Sequence, residues 1–124
     1  MFTRKYISFK VGNTMDLTVA FENEELGALQ DFLSSETHNF APHIVKELDN
    51  VLSRRKADLY FSGNMSFVEG DRRTALVGFA YEELGPDVVL PTATLKELVD
   101  EWIEMEDKFK KGELDGKLPL VIED

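Results

Sequence analysis

Apolar and polar positions alternate from the start of the chain. Ile7, Phe9 and Val11 fall on one side and Tyr6, Ser8 and Lys10 on the other, the two-residue period of a half-buried strand. Gly12-Asn13 is a turn signal, and Met15, Leu17, Val19 and Phe21 then alternate with Asp16, Thr18 and Ala20, which predicts a β-hairpin. The period changes after Asn23, an N-cap residue followed by Glu24 and Glu25. Leu26, Leu29, Phe32 and Leu33 recur at helical spacing. The polar run from Ser34 to Asn39 reads as a connection. Pro42 suits the first turn of a second helix with the stripe Ile44, Val45, Leu48, Val51 and Leu52.

From Ala57 the two-residue period returns, with Leu59 and Phe61 sharing a face. Gly63-Asn64 marks a turn, or a bulge inside a longer strand. Met65 to Val68 and Thr74 to Tyr81 flank the hairpin connection Glu69-Gly70-Asp71-Arg72. The second of these runs is apolar or small on both faces, so it is expected inside a sheet with part of each face covered. After Gly85-Pro86-Asp87 come a short extended stretch, Val88 to Leu90, and the longest helix. Thr94 and Glu97 have capping-box spacing at its start. Leu95, Leu98, Val99, Trp102, Met105 and Phe109 form its stripe, and Lys108, Lys110, Lys111 and Gly112 end it. In the tail, Leu120 to Ile122 is a candidate strand that Pro119 confines to an edge. The order predicts an α+β domain over residues 1–124: a largely antiparallel β-sheet with about three helices packed on it.

With 124 residues and 43% hydrophobic positions, the chain can bury a core without a metal or disulfide staple. It has no Cys, which removes disulfides, thiolate metal sites and a Cys nucleophile. No apolar run follows the early Arg4 and Lys5 as in a signal peptide, and none is long enough for a membrane span. A cytoplasmic protein is the expectation.

Candidate chemistry is sparse. The two histidines, His38 and His43, lie near Asp31, Ser34 and Ser35, but no Gly-x-Ser-x-Gly elbow accompanies them. Their spacing does not stack them on one helix face as metal ligands. Glu113-Leu114-Asp115-Gly116 lacks the alternating ligands of a calcium loop, and no glycine-rich phosphate cradle is present. Glu82-Glu83 and Asp100-Glu101 are paired acids in a charged region, which argues for solvation rather than acid/base work. The expectation is no catalytic residue, no metal and no cofactor, hence not an enzyme.

Charge changes the picture more. The net charge of −10 disfavours nucleic acid and anionic membranes and favours basic partners. From Glu82 to Asp107 nine acids face one base, Lys96. On the last helix the apolar stripe leaves Glu97, Asp100, Glu101, Glu104 and Asp107 pointing away from the core. Like charges at this spacing cost a few tenths of a kcal/mol per pair, a cost that a charge-complementary complex offsets. These five acids, flanked by Glu82, Glu83 and Asp87, form the candidate partner-binding surface. An ordinary solvated helix face is the plainer alternative.

The segment from Val88 to Trp102, with its Leu90-Pro91-Thr92 opening and Leu-rich helix around a central Trp, resembles small immunity proteins of bacterial contact-dependent growth inhibition and related polymorphic toxin systems. The resemblance implies binding to a cognate toxin domain, often a basic nuclease, whose active site is blocked or distorted. It assigns no individual residue a role. Two other readings stand beside it: a non-catalytic adaptor binding a host protein through a sheet edge or the acidic helix, and a small hydrolase using His38 or His43. Oligomeric state and the choice of interface are not legible in the sequence.

Overall fold

The computed structural model describes residues 2–123. Seven strands form two antiparallel sheets rather than one. The first holds β1 (Arg4–Val11), β2 (Thr14–Phe21) and β7 (Leu120–Ile122) in the order β2-β1-β7. The second holds β3 (Asp58–Ser62), β4 (Ser66–Asp71), β5 (Thr74–Phe79) and β6 (Val88–Pro91) in sequence order. Every pairing is antiparallel. The sequence suggested one sheet because short turns join neighbouring strands. The long helical excursion after β2 instead starts a new sheet, and β7 returns to the edge of the first.

Helices are fewer than expected. Helix α1 (Gly27–Asp31) passes into a wider π turn over Phe32–Thr37 and then into α2 (His38–Leu52), so residues 27–52 form one helical body, kinked at Phe40. With α3 (Thr92–Lys110) the described residues hold two helical bodies, not about three. The polar run from Ser34 to Asn39 is not a connection. Its hydroxyls fold back onto the helix: Ser34 Oγ donates to the Gln30 carbonyl at 2.8 Å and Thr37 Oγ1 to the Phe32 carbonyl at 3.0 Å. Phe40 is non-helical, so α2 is two helical pieces joined across a kink, and Pro42 stands in the first turn of the second piece, as its sequence position suggests. The kink falls at Phe40 (φ −130°, ψ 25°), two residues before the proline, whose ring crowds a helical turn running into it.

Both sheets turn an apolar face to the helices, and their buried residues join in one cluster. From the first sheet Tyr6 stacks on Trp102 of α3, ring centroids 6.1 Å apart. From the second, Phe61 meets Phe32 edge-on at 6.4 Å. The expected inward face of β1 is reversed. Arg4 and Tyr6 point into the core, while Phe9 and Val11 are 43% and 47% exposed. Alternation shows that a strand has two faces, and register against β2 decides which is buried. Tyr6 sits opposite Val19 and Ser8 opposite Leu17, so β1 shares the inward side of β2 through Tyr6.

Helix α3 starts earlier than its capping-box spacing suggests. Its N-cap is Pro91, with no side-chain cap, and Thr92 Oγ1 donates to the Asp71 carbonyl at 2.7 Å. The C-terminal end follows expectation, with Gly112 at φ +78° in the left-handed conformation that glycine favours. Asn23 also caps as expected, accepting from the Glu25 N–H at 2.9 Å. Gly63-Asn64 is a turn between β3 and β4.

Candidate functional site

The surface singled out by sequence divides into three parts. On α3, Asp100 pairs with Lys96 at 2.7 Å, Glu104 with Lys108 at 3.1 Å and Asp107 with Lys111 at 2.9 Å, each one helical turn apart. Lys96 also reaches Asp49 of α2 at 3.5 Å, which ties the two helical bodies together. Those contacts raise the Lys96 pKa in spite of its partial burial, which acts the other way and is the largest single influence. Asp107 likewise raises the pKa of Lys111. Such exposed pairs contribute little stability, because water and salt screen them. They do, however, place a cation against each of these acids. Glu97 is exposed on the same helix with no ion pair among the described residues.

Glu101 does not belong to this surface. It turns inward, 23% exposed, and its carboxylate accepts from Arg4 Nε at 2.8 Å, Arg4 Nη2 at 2.5 Å and the Tyr6 hydroxyl at 2.7 Å. Arg4 is 4% exposed. A buried guanidinium needs a carboxylate partner, since burying either charge alone costs several kcal/mol. Burial, reinforced by the Glu101 carboxylate, pushes the Tyr6 phenol well above its ordinary range. Glu101 is therefore a structural residue joining β1 to α3. The helical period places it near the border between stripe and surface, and only β1 supplies the partners that draw it in.

Glu82, Glu83 and Asp87 are grouped away from the helix, in the segment between β5 and β6. Glu82 and Glu83 lie exposed in a single 3₁₀ turn. Asp87 stands at the entry to β6, over Gly78 of β5: a Cβ at Gly78 would lie 2.5 Å from Asp87 Oδ1 and 2.9 Å from the Phe67 ring. The absence of a side chain at Gly78 is what lets these two groups meet over the sheet. They occupy its outward side, opposite the core.

The outward side of the second sheet was not singled out by sequence. Strand register aligns Tyr60, Glu69, Leu76 and Val89 in one row across β3, β4, β5 and β6. Tyr60 is 58% exposed and Val89 63%. The expectation that β5 has part of each face covered holds only through side chains such as Phe67 and Asp87, because Tyr60 and Val89 are open to solvent.

The histidines part company. His38 Nδ1 contacts Glu106 Oε2 at the mouth of a cleft of about 260 Å³ that also contains Ser34 and Ser35. The Ser34 hydroxyl is committed to the Gln30 carbonyl and accepts from Thr18, and Ser35 Oγ donates to Asp31 at 3.3 Å. His43 instead lies against the Phe61 ring, centroids 5.2 Å apart. Among the described residues no hydroxyl is held on either imidazole. Among the described residues no group of three His, Asp or Glu side chains is placed to hold a metal, and no helix is long and apolar enough to cross a membrane.

One further acid escaped sequence reasoning. Glu36, within the π turn, is fully buried and accepts the backbone N–H groups of Asn64 and Met65 at 2.8 and 2.9 Å. A Cβ at Gly63 would stand 1.6 Å from its Oε2. The glycine is required there by a carboxylate that is 27 positions earlier in the chain, and no local pattern announces the pair.

The chain is similar to a protein of Bacillus cereus described as an immunity protein. They are 28% identical over 91 residues, which span 72% of this chain and 78% of that protein. No family profile and no solved structure matches the chain.

Proposed function

We propose that this chain is a toxin-neutralising immunity protein, a non-catalytic partner that binds a basic toxin domain, of nuclease type, and blocks its activity. The similarity to the Bacillus cereus immunity protein carries this reading, because it extends over most of both chains. Acidity supports it. A net charge of −10 attracts a surface built to hold nucleic acid, and charge complementarity accelerates encounter between such partners. In this reading the protein works in the cytoplasm, where it meets the toxin, as in contact-dependent growth inhibition and related bacterial systems. It needs no cofactor.

The test is to sequence the genes beside this chain's own and co-express it with the toxin domain that this reading expects there. Growth rescued by this chain, together with a complex of fixed stoichiometry between the purified proteins, is the expected result. Cells that die equally with and without it, and proteins that elute separately at low salt, would remove the reading.

A further inference from the structure

The acids of α3 were the natural candidates for the toxin interface, but most of them already have cations. The second sheet presents a different balance. Its outward strand positions include Asp58, Glu69 and Asp71, with Asp87 over the end of the face, and neither Lys nor Arg occupies any of them. Asp71 is engaged by its own turn, accepting the N–H groups of Arg73 and Thr74 at 2.8 and 3.0 Å. Asp58, Glu69 and Asp87 have no ion-pair partner among the described residues. Arg72 and Arg73 stand in the β4–β5 turn, where the acidic face ends.

Apolar side chains share this face with the acids. Tyr60 and Val89 are more than half exposed and stand at the two ends of the row, on β3 and β6, with Glu69 and the partly buried Leu76 between them and Phe67 in the next row. An exposed tyrosine and aliphatic side chains interspersed with the unpaired acids Glu69 and Asp87 make a mixed apolar and acidic face, the kind of surface on which a tyrosine anchors a partner. We propose that the outward face of the β3-β4-β5-β6 sheet, and not the acidic face of α3, is the surface that docks the basic toxin domain. This inference rests on the toxin-neutralising reading above and gives it a location.

Charge complementarity selects the occupant. A second copy of this chain would set Glu69 and Asp87 against like charges, which opposes self-association through this face. A basic partner meets the acids with Lys or Arg and lays the aliphatic stems of those side chains on Tyr60 and Val89. Size sets a further condition. A stable complex covers about 800 Å² on each partner, whereas four short strands spaced by about 4.8 Å offer roughly half of that in plan. The contact must therefore extend beyond the strands. The neighbouring 3₁₀ turn, exposed at Tyr81 and Leu84 and carrying Glu82 and Glu83, lies next along the chain before Asp87 and supplies acids of the same sign.

The experiment measures binding of the purified toxin domain encoded beside the gene to the full chain and to three variants. The first is Tyr60→Ala, the second Glu69→Lys with Asp87→Lys, and the third Glu97→Lys with Asp100→Lys and Glu104→Lys on α3. All of these positions are exposed, and an unchanged thermal midpoint identifies variants that remain folded. Tyr60→Ala, which disturbs neither charge nor the Gly78 contact, keeps the test decisive if the double reversal does not fold. The expected result is a dissociation constant raised about 30-fold or more by each sheet variant and less than about threefold by the helix variant. If the wild-type chain binds and neutralises the toxin while both sheet variants do so equally well, the surface assignment is overturned and the immunity reading stands. If the wild-type chain neither binds nor neutralises, both fall together.

Discussion

Tyr6, Arg4 and Glu101 form a unit whose members would each be misplaced by local pattern. Alternation sets Tyr6 on the polar side of β1, and a charged residue near the chain start has no evident reason to be buried. Yet Arg4 and Tyr6 are among the best-covered residues, because the Glu101 carboxylate accepts from both. The unit makes stability depend on pH. The Tyr6 pKa is raised in the folded protein, so the unfolded chain loses this proton first, near the ordinary phenol value of 10.0. Its contribution is therefore complete below about pH 10 and declines above it, by about 1.4 kcal/mol per pH unit while only the unfolded form ionises. Denaturant unfolding between pH 9 and 11 should show a steeper alkaline loss for the wild-type chain than for Tyr6→Phe. Equal slopes would mean that Tyr6 is not responsible. Gly63 and Glu36 teach the same lesson at another residue pair: each is required by the other, and no pattern within either segment reveals it.

Most elements were legible because hydrophobic period is a local property. The strands, the stripe of α3 and its Gly112 stop all follow from it. What the period could not show is whether two helical stripes are separate. Ser34 to Thr37 resembled a linker by polarity, but Ser34 and Thr37 bond carbonyls of the preceding turn, Ser35 bonds Asp31, and Glu36 is taken up by the Asn64 and Met65 N–H groups, so the segment stays helical. The start of α3 was shifted for a related reason. Thr94 and Glu97 match a capping box, whereas Thr92, fully buried, anchors the helix start to the Asp71 carbonyl of the second sheet. Thr92→Val, which keeps the shape and removes the hydroxyl, should cost about 1–2 kcal/mol. Thr94→Ala should change stability by less than about 0.5 kcal/mol, since alanine suits a helix interior and no cap is lost. A chemical-denaturation comparison of the two variants decides, and a larger loss at Thr94 would restore the capping box.

At the scale of the whole molecule, charge matters by where it remains unpaired. The sequence located most of the negative charge between Glu82 and Asp107, and folding divides those acids into a buried network, a helix face with lysines one turn away and an uncompensated group beside the second sheet. The long-range field remains that of an acidic protein. Association with a basic toxin should therefore slow about tenfold or more as ionic strength rises from about 0.02 to 0.3 M, with dissociation changed by less than about twofold. Stopped-flow measurement reads both rates, and an association rate insensitive to salt would exclude electrostatic steering. Composition alone determined the acidic character, the absence of cysteine chemistry and the sufficiency of a core, because these depend on counts. Local order determined the elements and the α+β class, because apolar spacing sets which backbone form can bury a face. Tertiary structure alone decided the division into two sheets, the inward face of β1, the burial of Glu101 and Glu36, and the exposure of Tyr60 and Val89. Each of these depends on which distant segment arrives as a neighbour, and that is settled only when the whole chain competes for the same core.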